Sequence, residues 1–154
     1  GRAWRDPVIA GDVSAAFEAQ GVDPARIRFS PHAPSTGSHL DLYNEVDVAL
    51  DTWPYSGITT TCESLWMGVP VVALPGANQV SRISGSILRA AGMPGWVACD
   101  LDDYERIAVE AVHKVPERTA IRRRFRDSAV MDERAFASRA EASLRSIWSV
   151  FPRR

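Results

Sequence analysis

Three consecutive threonines, Thr59, Thr60 and Thr61, followed by Glu63, stand directly after the turn residues Pro54, Ser56 and Gly57. Where a helix begins, its first amides have no intrahelical partner. Hydroxyls and N–H groups can therefore converge on an anion at the positive end of the helix dipole. A carboxylate one turn further in is placed to accept hydrogen bonds from the two hydroxyls of a ribose. The chemistry implied is recognition of a phosphorylated sugar. Thr60-x-x-Glu63 also satisfies the capping-box pattern, in which hydroxyl and carboxylate pair with backbone amides, so Glu63 has a structural reading beside the functional one. Three β-branched hydroxyls in a row exceed what a cap needs, since such residues are mediocre helix formers, and a ligand demand explains them better. Arg82, after a later loop, places a guanidinium within reach of an anionic ligand or of a surface partner. His39 either packs with Leu42, Tyr43 and Val46 or offers a flat ring for stacking. His32 and His113 lack such a context, and no His/Cys/Asp cluster has metal-ligand spacing, so neither metal nor resident cofactor is expected.

These residues need a scaffold. Val48, Ala49 and Leu50 read as a short strand, and Cys62, Leu65, Trp66 and Val69 recur at helical spacing until Gly68 and Pro70 stop the helix. Val71 to Leu74 is a continuous apolar strand, which implies a parallel sheet covered on both faces. Upstream, a helix is predicted over Ile9 to Gln20, stopped by Gly21, then a strand over Arg26 to Phe29, a loop over Ser30 to Ser38, and a short helix over His39 to Val46. Downstream, the predictions are a helix from Val80 to Ala91 closed by Gly92, and an edge strand over Trp96 to Ala98. Three further helices follow, opened by Asp100 or Asp102, by Pro116 and by Asp132. The fold class is α/β, a doubly wound, Rossmann-like parallel sheet with a helical C-terminal tail. In such sheets ligands bind beyond the carboxyl ends of the strands, where the loops 30–39, 51–61 and 75–82 would meet.

The stretch from Asp47 to Gly76 resembles the donor-binding half of glycosyltransferase family 41, the O-linked N-acetylglucosamine transferase and SPINDLY-like group, through its LDT-P-Y-G-TTTCE-LW-GVPVV pattern. The likeness extends through Ser81–Pro94, Asp100–Val112, the aromatic helix around Trp148, and upstream to Arg26–Pro34 and His39. It covers nearly all the chain from about Val22. The resemblance implies the C-terminal half of a GT-B fold and a nucleotide-sugar donor. It implies that Thr59 and Thr60 bind the diphosphate, Glu63 the ribose and His39 the base. Two positions depart from the O-linked N-acetylglucosamine transferases: Thr36 stands where they have a lysine, and Ile58 where some members have a histidine. TTTCES is at least as close to the SPINDLY-type fucosyltransferases, so UDP-N-acetylglucosamine and GDP-fucose both stay open as donors.

At 154 residues and 45% hydrophobic, the chain can bury a core of its own and is expected to form a single α/β domain over 1–154. Eighteen basic against 19 acidic residues argue against a polyanion surface, so nucleic acid is not an expected partner. The arginines at 122–124 and 126 read as a solvated helix face balanced by neighbouring acids. No apolar run approaches a membrane span, and two cysteines make no secreted-type framework, which favours a reducing cytoplasm. The N-terminus enters a helix without a preceding strand and reads as a cut.

From the resemblance, the expected partners are a nucleotide sugar, a protein acceptor, an N-terminal catalytic half and tetratricopeptide-type helical repeats. The catalytic base is expected in that other half. The C-terminal helix, residues 132–154, is expected to cross to it; alone, its stripe of Phe136, Ala140, Leu144, Ile147, Trp148 and Phe151 should drive self-association. The alternative function is a non-catalytic α/β module for nucleotide binding or protein interaction.

Overall fold

The computed structural model describes residues 6–30, 36–114 and 117–150. The predicted loop residues 31–35, Pro116 and Phe151 lie outside them. The chain divides into two units, the first ending at Leu42 and the second beginning at Tyr43.

The first unit contains helix α1, Pro7–Glu18, with Asp6 as its N-cap accepting from the Val8 amide at 2.9 Å, and helix α2, Thr36–Asp41. Pro7 suits the first helical position because the amide it lacks would be unpaired there anyway. The strand predicted over Arg26 to Phe29 is not formed. Asp23 caps a 3-10 turn, Pro24–Arg26, which takes up the backbone where the strand is predicted to begin, and Ile27, its C-cap, is extended. Alternation favours a strand, but the Asp23 cap and Pro24 wind the local backbone into a turn instead.

The second unit carries the sheet. After a 3-10 turn over Leu42–Glu45 come strand β1, Ala49–Leu50, helix α3, Thr59–Trp66, strand β2, Val71–Val72, and helix α4, Ile83–Ala90. A 3-10 turn at Pro94–Trp96 leads to helices α5, Leu101–His113, α6, Arg118–Arg126, and α7, Glu133–Val150. β1 and β2 run parallel, with Ala49 opposite Val71 and Leu50 opposite Val72. The predicted edge strand at Trp96–Ala98 is reduced to one parallel bridge, Ala73 to Val97, because Pro94 winds the preceding residues into a 3-10 turn.

Successive β-residues point to opposite faces, and each face has its own core. Val71 and Ala73 pack with Leu65, Leu88, Ile121 and Phe125 from α3, α4 and α6. Val72 turns the other way, onto Ala98, Ile107 and Ala111 beside α5. Helices on both faces of a parallel sheet make this a doubly wound α/β arrangement.

Local chemistry sets the boundaries. α3 ends at Gly68, whose φ of +76° only glycine adopts without strain, and the amides of Gly68 and Val69 return to Leu65 and Ser64 at 3.1 and 2.8 Å. A Cβ there would also stand 2.5 Å from the carbonyl oxygen of Arg118. Asp100, one of two predicted caps, begins α5, and Asp103 reciprocates by accepting the Cys99 amide at 3.0 Å. Asp132 caps α7 through the Ala135 amide at 2.9 Å. No helix among the described residues is long and apolar enough to cross a membrane.

Candidate functional site

The segment between β1 and α3 leaves the carboxyl end of the sheet and is fastened along its length. Asp51 follows the last β1 residue and donates its amide to Val72 at 2.9 Å, extending the ladder by one bond. Its carboxylate then reaches forward: one oxygen accepts the Gly57 amide at 2.7 Å and the other accepts the Ser84 hydroxyl. Its carbonyl oxygen accepts the Tyr104 hydroxyl at 3.0 Å. Thr52 closes the turn by donating to the Tyr55 carbonyl at 3.0 Å, across a cis Trp53–Pro54 peptide. Ser56 is buried and donates both its amide and its hydroxyl to the Val80 carbonyl, at 3.1 and 2.7 Å. The loop after β1 and the loop after β2 are thereby sewn together, and the start of α4 is sewn to both.

This fastening delivers the chain into α3 with its N-terminus open. Ile58 is the N-cap, at φ −116° and ψ −76°, and no side chain caps the helix. The capping box read from Thr60 and Glu63 is therefore not formed: the helix starts one residue before Thr60, so neither side chain stands at the required offset. The amides of Thr59, Thr60 and Thr61 fall in the first turn, where no carbonyl four residues back is available. Thr59 and Thr60 are exposed, whereas Thr61 is only 2% exposed and turns inward. Close approach needs glycine at position 57, since a Cβ there would lie 2.5 Å from the Thr60 hydroxyl oxygen and 2.8 Å from that of Thr61.

Glu63 lies one turn into α3, half-buried, and accepts the Tyr43 hydroxyl at 3.1 Å. Burial, aided by the hydrogen bond and charge of Glu63, pushes the Tyr43 phenol up to about 12, so it stays a donor at neutral pH. Arg118 fixes the turn that carries Tyr43 by donating to the carbonyls of Tyr43 and Val46 at 2.9 and 2.5 Å. A cavity of about 170 Å³ lies among Tyr43, Asp51, Thr60 and Ser64. A wider one of about 680 Å³ opens at the carboxyl ends of the strands, between Trp53, Pro75, Leu101 and Asp102.

The structure thus brings Thr59, Thr60, Thr61 and Glu63 onto one helix start. Arg82 is exposed at the N-cap of α4, the helix held to the same loop through Ser84. His39 lies on α2 in the first unit. Among the described residues no group of His, Cys, Asp and Glu could hold a metal ion. Sequence reasoning gave Asp51 and Ser84 no role, took Ser56 only as a turn residue and treated Tyr43 only as a packing residue. Asp51 alone had a legible signal: a carboxylate at the carboxyl end of a strand, just before a glycine turn and a run of hydroxyls. Ser56 and Ser84 are 28 positions apart and meet only in the folded chain.

With this geometry in place, three comparisons place the chain among known proteins. The pattern of glycosyl transferase family 41 matches residues 5–141. A protein of Petunia hybrida, "Probable UDP-N-acetylglucosamine--peptide N-acetylglucosaminyltransferase SPINDLY", is 33% identical over 136 residues, which is 86% of this chain and 15% of that protein. The "UDP-N-acetylglucosamine--peptide N-acetylglucosaminyltransferase" of Caenorhabditis elegans is 32% identical over 133 residues, 84% of this chain and 12% of that one. In structure, a mutant O-GlcNAc transferase of Thermobaculum terrenum superposes with a TM-score of 0.83 at 37% identity, covering 94% of this chain and 28% of that protein.

Proposed function

The chain belongs to glycosyl transferase family 41, and from that premise we propose that it is the nucleotide-sugar-binding part of a protein O-glycosyltransferase that transfers a hexose to serine or threonine hydroxyls. UDP-N-acetylglucosamine is the first donor to test, because the Petunia and Caenorhabditis relatives carry it in their names; GDP-fucose is the second. The observation that carries the reading is the uncapped start of α3, with two exposed threonines in its first turn and Glu63 one turn in. Negative charge builds on the leaving diphosphate during transfer, and preorganised amides and hydroxyls oppose it without needing a metal.

In this reading Thr59 and Thr60 offer hydroxyls and amides to the phosphates, Thr61 its amide, and Glu63 accepts from the ribose. His39 stacks on the base and Arg82 adds a cationic contact. The chain spans 15% of the Petunia protein's length, so acceptor binding and the base that takes the acceptor proton belong to further parts of the enzyme. Those parts comprise an N-terminal α/β half and helical repeats, in an enzyme of the cytoplasm.

Calorimetry with UDP, GDP and their sugars tests the donor site. Glu63→Ala should weaken binding by about 1–3 kcal/mol, the range for hydrogen bonds to charged groups. Wild-type protein that binds neither nucleotide overturns the reading.

A further inference from the structure

We propose that Asp51 is the positioning residue of the donor site, a role that rests on the donor-site reading above. No atom of Asp51 need touch the donor. Its two carboxylate oxygens accept from two elements far apart in sequence, the Gly57 amide at 2.7 Å and the Ser84 hydroxyl at the start of α4. Its backbone is held as firmly, by the Val72 carbonyl on one side and the Tyr104 hydroxyl on the other. Asp51 is thus anchored to the sheet and to α5, and passes that anchorage on to the loop.

The direction of the Gly57 amide is the consequence that matters. Bonded to Asp51, it already has its acceptor and is not offered to an anion at the helix start. The open donors then begin after Gly57, in the first turn of α3, in a fixed orientation. Without the carboxylate, the Gly57 amide and the Ser84 hydroxyl lose their common acceptor, and residues 52–57 keep only the Thr52 and Ser56 ties. Binding an anion would then have to order the loop first, and that ordering is subtracted from affinity. A carboxylate so close to an anion site is electrostatically unfavourable on its own. What recommends it there is two acceptor oxygens on one short side chain, facing an N–H and an O–H.

The test compares UDP and GDP affinity of the wild-type chain with that of Asp51→Ala, Asp51→Asn, Ser84→Ala and, as a control of matched thermal destabilisation, the core variant Phe125→Leu. Asp51→Ala is expected to bind about tenfold more weakly or worse. Asp51→Asn should recover to within about threefold, because its amide oxygen still accepts from Gly57 and its NH2 donates to Ser84 in reversed sense. Phe125→Leu should keep wild-type affinity. A folded Asp51→Ala with wild-type affinity overturns the proposal, as does an equal loss in Phe125→Leu, since Asp51 would then act through stability alone. Where Asp51→Ala does not fold, Ser84→Ala decides: a drop of about threefold supports the proposal, and unchanged affinity overturns it. Wild-type protein that binds neither nucleotide overturns the donor-site reading and this inference together, a result distinct from binding that the variants leave intact.

Discussion

Loop 51–58 and helix α7 both hold large apolar side chains in solvent, with Trp53 66% and Tyr55 69% exposed in the loop and Leu144 67% and Trp148 77% exposed on the helix. Exposure alone does not separate them; fastening does. The loop is held by Asp51, Thr52 and Ser56 through bonds reaching the sheet and α4. Its aromatics therefore stand where a rigid backbone puts them. α7 is held by its own helical bonds, the Asp132 cap and exposed pairs such as Arg145 with Glu141, and it buries no residue. A fixed rim around cavities is suited to a small ligand, whereas an exposed stripe on a helix is suited to another protein surface.

The largest expected effect contrasts core and tail. Phe125 is 2% exposed beneath α3, and Phe125→Ala should cost about 3–5 kcal/mol, while Leu144→Ala on α7 should stay within about 0.5 kcal/mol. Denaturant titration of both variants checks this; comparable losses would mean that α7 is packed and the contrast false.

Next comes Gly57→Ala, which sets a methyl against the hydroxyls of Thr60 and Thr61 and should destabilise by about 1–3 kcal/mol, as overpacking does. A variant as stable as wild type would show a loop looser than its hydrogen bonds imply.

On the helix, we expect wild-type protein to self-associate through the α7 stripe and Trp148→Glu to abolish this while changing stability by no more than about 0.5 kcal/mol. Light scattering across a concentration series measures it, and a wild type that stays monomeric throughout removes self-association from the comparison.

The smallest effect is a pH dependence. Tyr43 holds its proton more tightly folded than unfolded, so its contribution is fully present below pH 10 and is lost as pH rises from 10 towards 12. Tyr43→Phe should flatten the fall in stability over that window relative to wild type; parallel curves would show that Tyr43 is not buried beside Glu63 in solution.

Much of the scaffold was legible because it is local. The Thr59 helix start, the Gly68 stop and the Asp100 and Asp132 caps are each decided within about four residues, by orphan amides and by a backbone angle only glycine adopts easily. The apolar run at Val71–Leu74 announced a strand covered on both faces, and the two cores on Val71 and Val72 follow from side-chain alternation. The Arg26–Phe29 strand misled because alternation describes a willing segment, while Asp23 and Pro24 wind its first residue into a 3-10 turn. The capping box misled because Thr60 and Glu63 have the right spacing but begin two residues after the N-cap, Ile58.

By itself, then, the sequence determined the α/β class, the order of elements around β1, α3 and β2, and the concentration of hydroxyls and a carboxylate at Thr59–Glu63. Only the tertiary structure decided that the Asp51 carboxylate joins Gly57 to Ser84, that Ser56 ties two loops through Val80, and that Tyr43, held by Arg118, donates to Glu63. The physical reason is distance along the chain. A cap or a turn is chosen by neighbours whose preferences are written in adjacent residues, whereas a hydrogen bond across 20, 33 or 75 positions depends on which surfaces the core brings together.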